Sequence, residues 1–164
     1  MKIRATNPSD AGKIADIYNH YVRHTTITFE EEQVSSEQMA LRIEKVTRSG
    51  LPWLVAEEDD EILGYAYAGQ WHERSAYRYT VEPSVYLSPD AVGRGLGRLL
   101  YRQLLEDLRQ KGIKNVMGVI ALPNDQSVGL HESFGFEKVG EFSDVGFKFG
   151  KWISVGYWQL KFPD

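Results

Sequence analysis

Cysteine is absent from the 164-residue chain, which removes disulfides, thiolate zinc sites and a cysteine nucleophile together. Apolar runs are short. The longest, at 51–56 and 116–122, fall far below the ~18 residues needed to cross a bilayer. A basic excess is also lacking: 19 Lys and Arg stand against 23 Asp and Glu, a net charge of −4. No Lys/Arg stripe of the kind used in nonspecific nucleic-acid binding is present. The first seven residues lack the apolar stretch of a signal peptide, and neither internal repeats nor low-complexity segments occur. What is there is ordinary globular usage, 42% hydrophobic and 26% charged, which argues against disorder. At roughly 150 residues per domain the length predicts a single domain over 1–164. The expectation is a cytoplasmic protein with neither a nucleic-acid nor a membrane partner.

Periodicity orders the elements. Residues 3–6 alternate as a short strand; Asn7 then reads as an N-cap with Pro8 at the first helical position, where its missing N–H costs nothing. Ile14, Ile17, Tyr18, Tyr21 and Val22 share one helical face. Ser35 and Gln38 fit a capping box, followed by Met39, Ile43 and Val46, and Gly50 closes that helix. Strands are expected at 53–57, 62–70 and 77–87, the last interrupted by Pro83. A proline cannot donate to a ladder, so this strand should bulge or diverge from its neighbour there. Leu96, Leu100, Leu104 and Leu108, with Tyr101 and Leu105, line a helix ending at Gly112. A buried strand at 115–122 follows, then a short helix capped by Asn124 and running to Phe134. Strands at 136–142 and 153–160, joined by a glycine- and aromatic-rich connection, complete the order β-α-α-β-β-β-α-β-α-β-β. This predicts an α/β fold: a mixed sheet of about seven strands with a splayed central strand and helices on both faces.

Gly93-Arg94-Gly95-Leu96-Gly97 lies between a strand and a helix. Alternate glycines let a ligand approach the backbone closely, and the helix start adds partial positive charge, so the loop suits a phosphate or pyrophosphate. The plainer reading is a tight turn. A Walker loop would need Gly-Lys-Ser/Thr at its end, but Arg98-Leu99 follow Gly97. A Rossmann fingerprint would have Gly-x-Gly-x-x-Gly and an acid ending the next strand, where Ala121-Leu122 stand instead. Both nucleotide readings fail.

Ser84-Val85-Tyr86-Leu87, the glycine loop, Asn124 and Gly135-Phe136 together resemble the acetyl-CoA core of the GNAT N-acetyltransferase superfamily. Its signature begins with Gln or Arg, a position that falls on Val92 here; the departure removes a side-chain contact and leaves the backbone N–H groups. Tyr18-Asn19-His20-Tyr21, residues 26–30, Thr80-Val81-Glu82, Leu130-His131 and the Val145-Gly146-x-Lys148-Phe149-Gly150-x-Trp152 run resemble the phosphinothricin and methionine-sulfoximine N-acetyltransferase branch. The likeness extends over about residues 3–160.

The resemblance implies acetyl-CoA as acetyl donor, bound by Val85, Tyr86, Leu87, Gly93, Arg94, Gly95, Leu96, Gly97, Arg98 and Asn124, and no metal. It implies transfer to the amino group of a small amino-acid analogue. Glu82, just before the break at Pro83, would be the general base, acting through a water. His131 stands where many members place a tyrosine that protonates the departing thiolate; packing is the other reading of a lone helical histidine. Trp71, His72, Glu73 and Arg74 form the expected substrate loop, with Phe29 and Glu30 opposite. Arg74 and Arg78 are suited to a carboxylate or phosphinate, although surface arginine is the plain alternative. His20 and His24, four apart, lack a third metal ligand. Phe147, Lys148, Phe149 and Trp152 read as a homodimer contact or a wall of the substrate pocket. Two rivals stay open: the same machinery acting on another amine (a polyamine, an ordinary amino acid, a protein N-terminus), and a non-catalytic acyl-CoA-binding module.

Overall fold

The computed structural model describes residues 1–163. Its elements are β1 (Lys2–Ala5), α1 (Ala11–His24), α2 (Ser36–Arg48), β2 (Trp53–Glu58), β3 (Glu61–Gln70), β4 (Thr80–Leu87), α3 (Leu96–Gln110), β5 (Asn115–Ala121), α4 (Asp125–Ser133), β6 (Glu137–Lys148) and β7 (Lys151–Lys161). Both the order and the mixed α/β class agree with the sequence reading. Seven strands form one sheet in the order β1-β2-β3-β4-β5-β7-β6. β4 and β5 run parallel, while β1 with β2, β2 with β3, β5 with β7 and β6 with β7 run antiparallel. The chain forms two compact units that alternate along the sequence, one sequence boundary falling between Glu82 and Pro83. The first holds Met1–His20, Val34–Gly69 and Pro83–Gly112; the second holds Tyr21–Gln33, Gln70–Glu82 and the chain from Ile113 onward.

In the first unit the caps form as their letters require. Asn7 accepts from Ser9 N–H at 3.2 Å while Asp10 accepts from Asn7 N–H at 2.8 Å, and the resulting 3-10 turn leads into α1. Ser35 and Gln38 make the reciprocal capping box of α2, at 3.1 and 3.0 Å. The leucine stripe of α3 is its core: Leu100, Tyr101, Leu104 and Leu108 are fully buried, with Val55 of β2 and Ile14 of α1. α2 and α3 both pack on β2. Each such side chain is worth roughly 1.5–3 kcal/mol in burial, which fixes the base from which the glycine loop springs.

The second unit is built on β5, which pairs with β7 over its whole length, from Asn115↔Lys161 to Ala121↔Val155. Here the strand boundaries differ from expectation. β6 does not stop at Phe142, nor does β7 wait until Ile153; the two continue as a hairpin arm to Lys148 and Lys151. Phe149 (φ 53°) and Gly150 (φ 71°) close it as a two-residue turn whose left-handed backbone matches the strand twist. β6 is exposed on both faces until Gly146, so no alternation betrayed it. The strand expected from Tyr77 starts only at Thr80, and Ser75–Tyr77 is a 3-10 turn.

Candidate active site

The end of β4 and the glycine loop belong to the first unit. Val85, Tyr86 and Leu87 are half-buried. Tyr86 packs its ring at 5.3 Å from Tyr18 and 5.6 Å from Tyr65, and Leu87 lies so close to Gly64 that a Cβ there would come within 2.6 Å of Leu87 Cδ2. These contacts hold the strand end firmly. Gly95, at φ 79°, is the N-cap of α3, and its side-chain-free cap offers no oxygen to the helix. The first N–H groups of a helix have no intrahelical partner, and the space where Cβ atoms of Gly93 and Gly95 would sit is open to 4 Å. Arg94 projects from the loop to Glu58, Nη2 to Oε2 at 2.8 Å. The arginine holds the Glu58 carboxyl below its usual value.

The second unit carries Glu82. The β4–β5 ladder consists of Thr80↔Asn115 and Val81↔Val116 and ends there, although β5 goes on pairing with β7 as far as Ala121. The break thus falls where Glu82 and Pro83 stand. Among the described residues the Glu82 carboxylate has no hydrogen-bond or ion-pair partner, and burial alone raises its pKa. A half-buried, unpaired carboxyl with a raised pKa is a stronger base than an ordinary glutamate and is suited to taking a proton.

The expected substrate loop is tied at its base, where Trp71 N–H donates to Thr80 O at 3.1 Å. Rings connect it to the arm: Phe142 to Tyr157 at 5.3 Å, Tyr157 to Trp71 at 6.1 Å, Trp71 to His72 at 4.7 Å and His72 to Tyr77 at 5.1 Å. Glu73, Arg74 and Arg78 are exposed. Arg78 is engaged locally, donating to Ser75 O at 2.9 Å and lying 4.6 Å from the Tyr79 ring. Arg74 has no such partner among the described residues. Phe29 lies on Gly146 of the arm, and Glu30 N–H donates to Thr28 Oγ1 at 3.3 Å.

His131, on α4, is 5% exposed. Its Nδ1 is 2.7 Å from Ser127 O, so the ring donates there and its proton sits on Nδ1. Burial lowers its pKa, keeping the ring neutral. It packs edge-on to Phe136 at 4.9 Å and against Gly118, where a Cβ would come within 2.6 Å of Cδ2. Asn124 caps α4, accepting from Ser127 N–H at 3.1 Å. No group of three or more metal-ligating side chains occurs among the described residues, and no helix there is long and apolar enough to cross a membrane. Sequence reasoning passed over Gly118 and Gly64, whose role is close packing, and read Lys148 with its aromatic neighbours as a dimer contact or a wall of the substrate pocket, not as a buried ammonium. No local signal marks them, because the atoms they meet come from distant parts of the chain.

The GNAT acetyltransferase domain matches residues 3–155. The phosphinothricin N-acetyltransferase of Streptomyces viridochromogenes is 40% identical over 162 residues, covering 99% of this chain and 88% of that protein. The L-methionine sulfoximine/L-methionine sulfone acetyltransferase of Salmonella typhimurium is 36% identical over 164 residues, covering 100% and 96%. A GNAT superfamily phosphinothricin acetyltransferase from Sinorhizobium meliloti, solved in complex with acetyl-CoA, superposes with a TM-score of 0.95 at 35% identity, covering 98% of this chain and 87% of that one. A strand end held against Gly64, an open glycine cap and a matching domain over nearly the whole length lead to one conclusion: the chain belongs to the GNAT acetyltransferase family and is an N-acetyltransferase.

Proposed function

We propose that this protein acetylates the amino group of a small amino-acid analogue, of the phosphinothricin, methionine sulfoximine or methionine sulfone type, by direct transfer from acetyl-CoA with Glu82 as general base. The observation that carries this reading is the position of Glu82: a half-buried carboxyl with a raised pKa at the residue where the β4–β5 ladder stops. The named activities of the Streptomyces and Salmonella relatives supply the acceptor class.

The glycine loop fits the acetyl donor, since an uncapped helix start with open space at Gly93 and Gly95 is a cradle for pyrophosphate. The N–H groups of Leu96, Gly97 and Arg98 would bind phosphate oxygens, with Arg94 adding charge. Val85, Tyr86 and Leu87 would bind the pantetheine amides as an added strand does, and Asn124 would border that chain. Acetyl-CoA supplies a thioester carbonyl open to attack. Glu82, acting through a water, removes the proton of the acceptor's ammonium group so that a lone pair is available. The nitrogen's second proton, lost on forming the amide, balances the departing thiolate. His131 in its neutral form, protonated on Nδ1, has no Nε2 proton to give, so we assign it to packing β5 against α4. Arg74, with Arg78 held beside it, would grip the acceptor's carboxylate through a bidentate guanidinium, while Trp71, His72, Glu73, Phe29 and Glu30 shape the rest of the acceptor site.

Three further parts belong to the reading. One family match runs across both units, which supports a single acetyltransferase domain over 1–164. Phe147, Phe149 and Trp152, each at least 55% exposed, support a homodimer in which a second copy covers the arm. A cytoplasmic location would give the enzyme access to a pool of acetyl-CoA. A thiol-release screen with acetyl-CoA tests the function. Amino-acid analogues with a free carboxylate should turn over, whereas their methyl esters, polyamines and peptide N-termini should not. Equal turnover of the esters and polyamines would overturn the acceptor assignment.

A further inference from the structure

Among the described residues Lys148 is the most deeply buried charged side chain, at 1% exposure. Burying an ammonium costs several kcal/mol unless it is well paired, and among the described residues this one makes a single hydrogen bond, from Nζ to Thr28 O at 2.8 Å. The Phe149 ring lies 5.1 Å from Nζ. Burial pushes the ammonium's pKa down and the carboxylates of Glu31 and Glu30 push it back up. The charge is thus held by one carbonyl, 120 residues away in sequence, and by the nearby carboxylates of Glu31 and Glu30.

Two residues earlier on β6, and so on the same face, Gly146 makes a second contact with the same segment. It is buried between the exposed Val145 and Phe147. A Cβ on Gly146 would come within 2.5 Å of Phe29 Cζ and clash with Cε2 as well. The ring therefore lies directly on the glycine backbone, whose φ is an ordinary one. Residues 28–30 are held as a turn by the bond from Glu30 N–H to Thr28 Oγ1. The end of β6 thus grips this turn twice: through its carbonyl by Lys148 and through its ring by Gly146.

We propose that Gly146 and Lys148 are positioning residues that fix the turn at 28–30 and, through Phe29, determine which acceptor side chains the enzyme accepts. The inference deepens the proposed function and rests on its placement of Phe29 and Glu30 at the acceptor site. Phe29 is itself 41% exposed, so part of the ring faces outward while its underside is set by Gly146. An alanine at 146 is compatible with the backbone, and the nearest atoms it meets, Cε2, Cζ and Cδ2, all belong to the Phe29 ring, so it should re-aim Phe29 without unfolding the arm. Lys148→Met keeps the length of the stem and removes the bond to Thr28 O.

The test is steady-state kinetics on the two best acceptors from the thiol-release screen, chosen to differ in side-chain bulk. Gly146→Ala and Lys148→Met should each change the ratio of kcat/KM for the two acceptors by about fivefold or more, with KM for acetyl-CoA within about twofold of wild type. In a Phe29→Ala background, Gly146→Ala should have no further effect on that ratio, because the coupling runs through the ring. An unchanged ratio in Gly146→Ala and Lys148→Met, with Phe29→Ala altering it, would overturn the clamp and leave the acceptor site standing. An effect of Gly146→Ala that persists without the ring would also overturn it. If Phe29→Ala leaves both acceptors unaffected, Phe29 is no acceptor residue, and the clamp falls with that part of the proposed function.

Discussion

The loop at 93–97 and the arm at 142–152 both join glycine to a basic side chain, and they use the pair in opposite ways. At Gly93 and Gly95 the backbone is left-handed and nothing of the chain comes within 4 Å of the missing Cβ. At Gly146 the backbone is ordinary and the missing Cβ is replaced by the Phe29 ring. Arg94 is 46% exposed and meets a surface carboxylate, whereas Lys148 is buried on a carbonyl. A glycine left open is a place for something that is not this chain; a glycine that is filled is a place where one part of the chain positions another. The first arrangement suits a ligand recognised by backbone, the second a ligand recognised by side chains whose aim must be set.

Gly95→Val is the largest expected break in that comparison. A β-branched residue at φ 79° is strained by about 1–3 kcal/mol, a cost borne by the free and bound protein alike, and its methyls would fill the space that a phosphate needs. With about two charge-assisted bonds lost at ~1.5–3 kcal/mol each, acetyl-CoA affinity should fall about 10³-fold. Isothermal calorimetry on the folded variant checks it. Near-wild-type affinity would show that the open glycines are only a turn.

Glu82→Gln comes next and concerns a side chain rather than the backbone. kcat should fall about 10²-fold, as for a lost general base, with acetyl-CoA affinity unchanged. Activity should recover in part at high pH, where the acceptor is already a free amine. In the wild type only the ionised carboxylate is competent, so the acid limb of the pH–rate profile should lie above the ordinary glutamate value of 4.5, in the direction burial pushes it. The same shift has a stability consequence with a definite sign. Below 4.5 Glu82 is protonated in the folded and unfolded chains alike, and nothing is lost. As pH rises through the raised folded-state value, the buried carboxylate must charge, and stability falls. Glu82→Gln removes that loss, so at pH 7 it should melt above wild type, and at pH 4 the gap should close. Equal melting differences at both pH values would contradict the desolvation account.

These two substitutions also separate what was legible in the sequence from what was not. The order of elements was readable because the leucine stripe of α3 and the caps at Asn7 and Ser35 are local patterns with local causes. The break beside Glu82 was readable from Pro83, since a residue without an N–H cannot continue a ladder. The hairpin arm was not. β6 has solvent on both faces up to Val145, and its turn uses Phe149 at positive φ, where Asn or Gly would have signalled it. Tyr77 and Tyr79 alternate like strand residues, yet both are exposed; Tyr77 lies in the 3-10 turn, and Tyr79 precedes β4 with its carbonyl accepting from Lys114 and Asn115 N–H. Lys148 was read with the surface aromatics around it; its burial depends on Thr28, which folding brings to it from the other end of the chain.

The smallest expected effect contrasts the two basic side chains directly. Lys148 has lost its water and is held by a carbonyl, so salt should have little influence on it. Arg94 has kept its water, and its partner Glu58 is a surface carboxylate facing a loop suited to bind phosphate. When an anionic ligand enters, Glu58 both competes for the guanidinium and repels the incoming charge. Glu58→Gln keeps an acceptor oxygen for Arg94 and removes the negative charge. Acetyl-CoA should therefore bind about threefold more tightly to Glu58→Gln at low ionic strength, an effect of the size expected for exposed charges. At about 0.5 M salt, where the screening length is only a few ångströms, the two proteins should bind alike. Calorimetric titrations at the two salt concentrations check this. Weaker binding by Glu58→Gln would mean that the carboxylate serves to orient Arg94 toward the phosphates, so that the loop, like the arm, aims its basic side chain through a second residue. A gain that persists in high salt would instead point to a change in the backbone of the loop, since a surface charge cannot act unscreened.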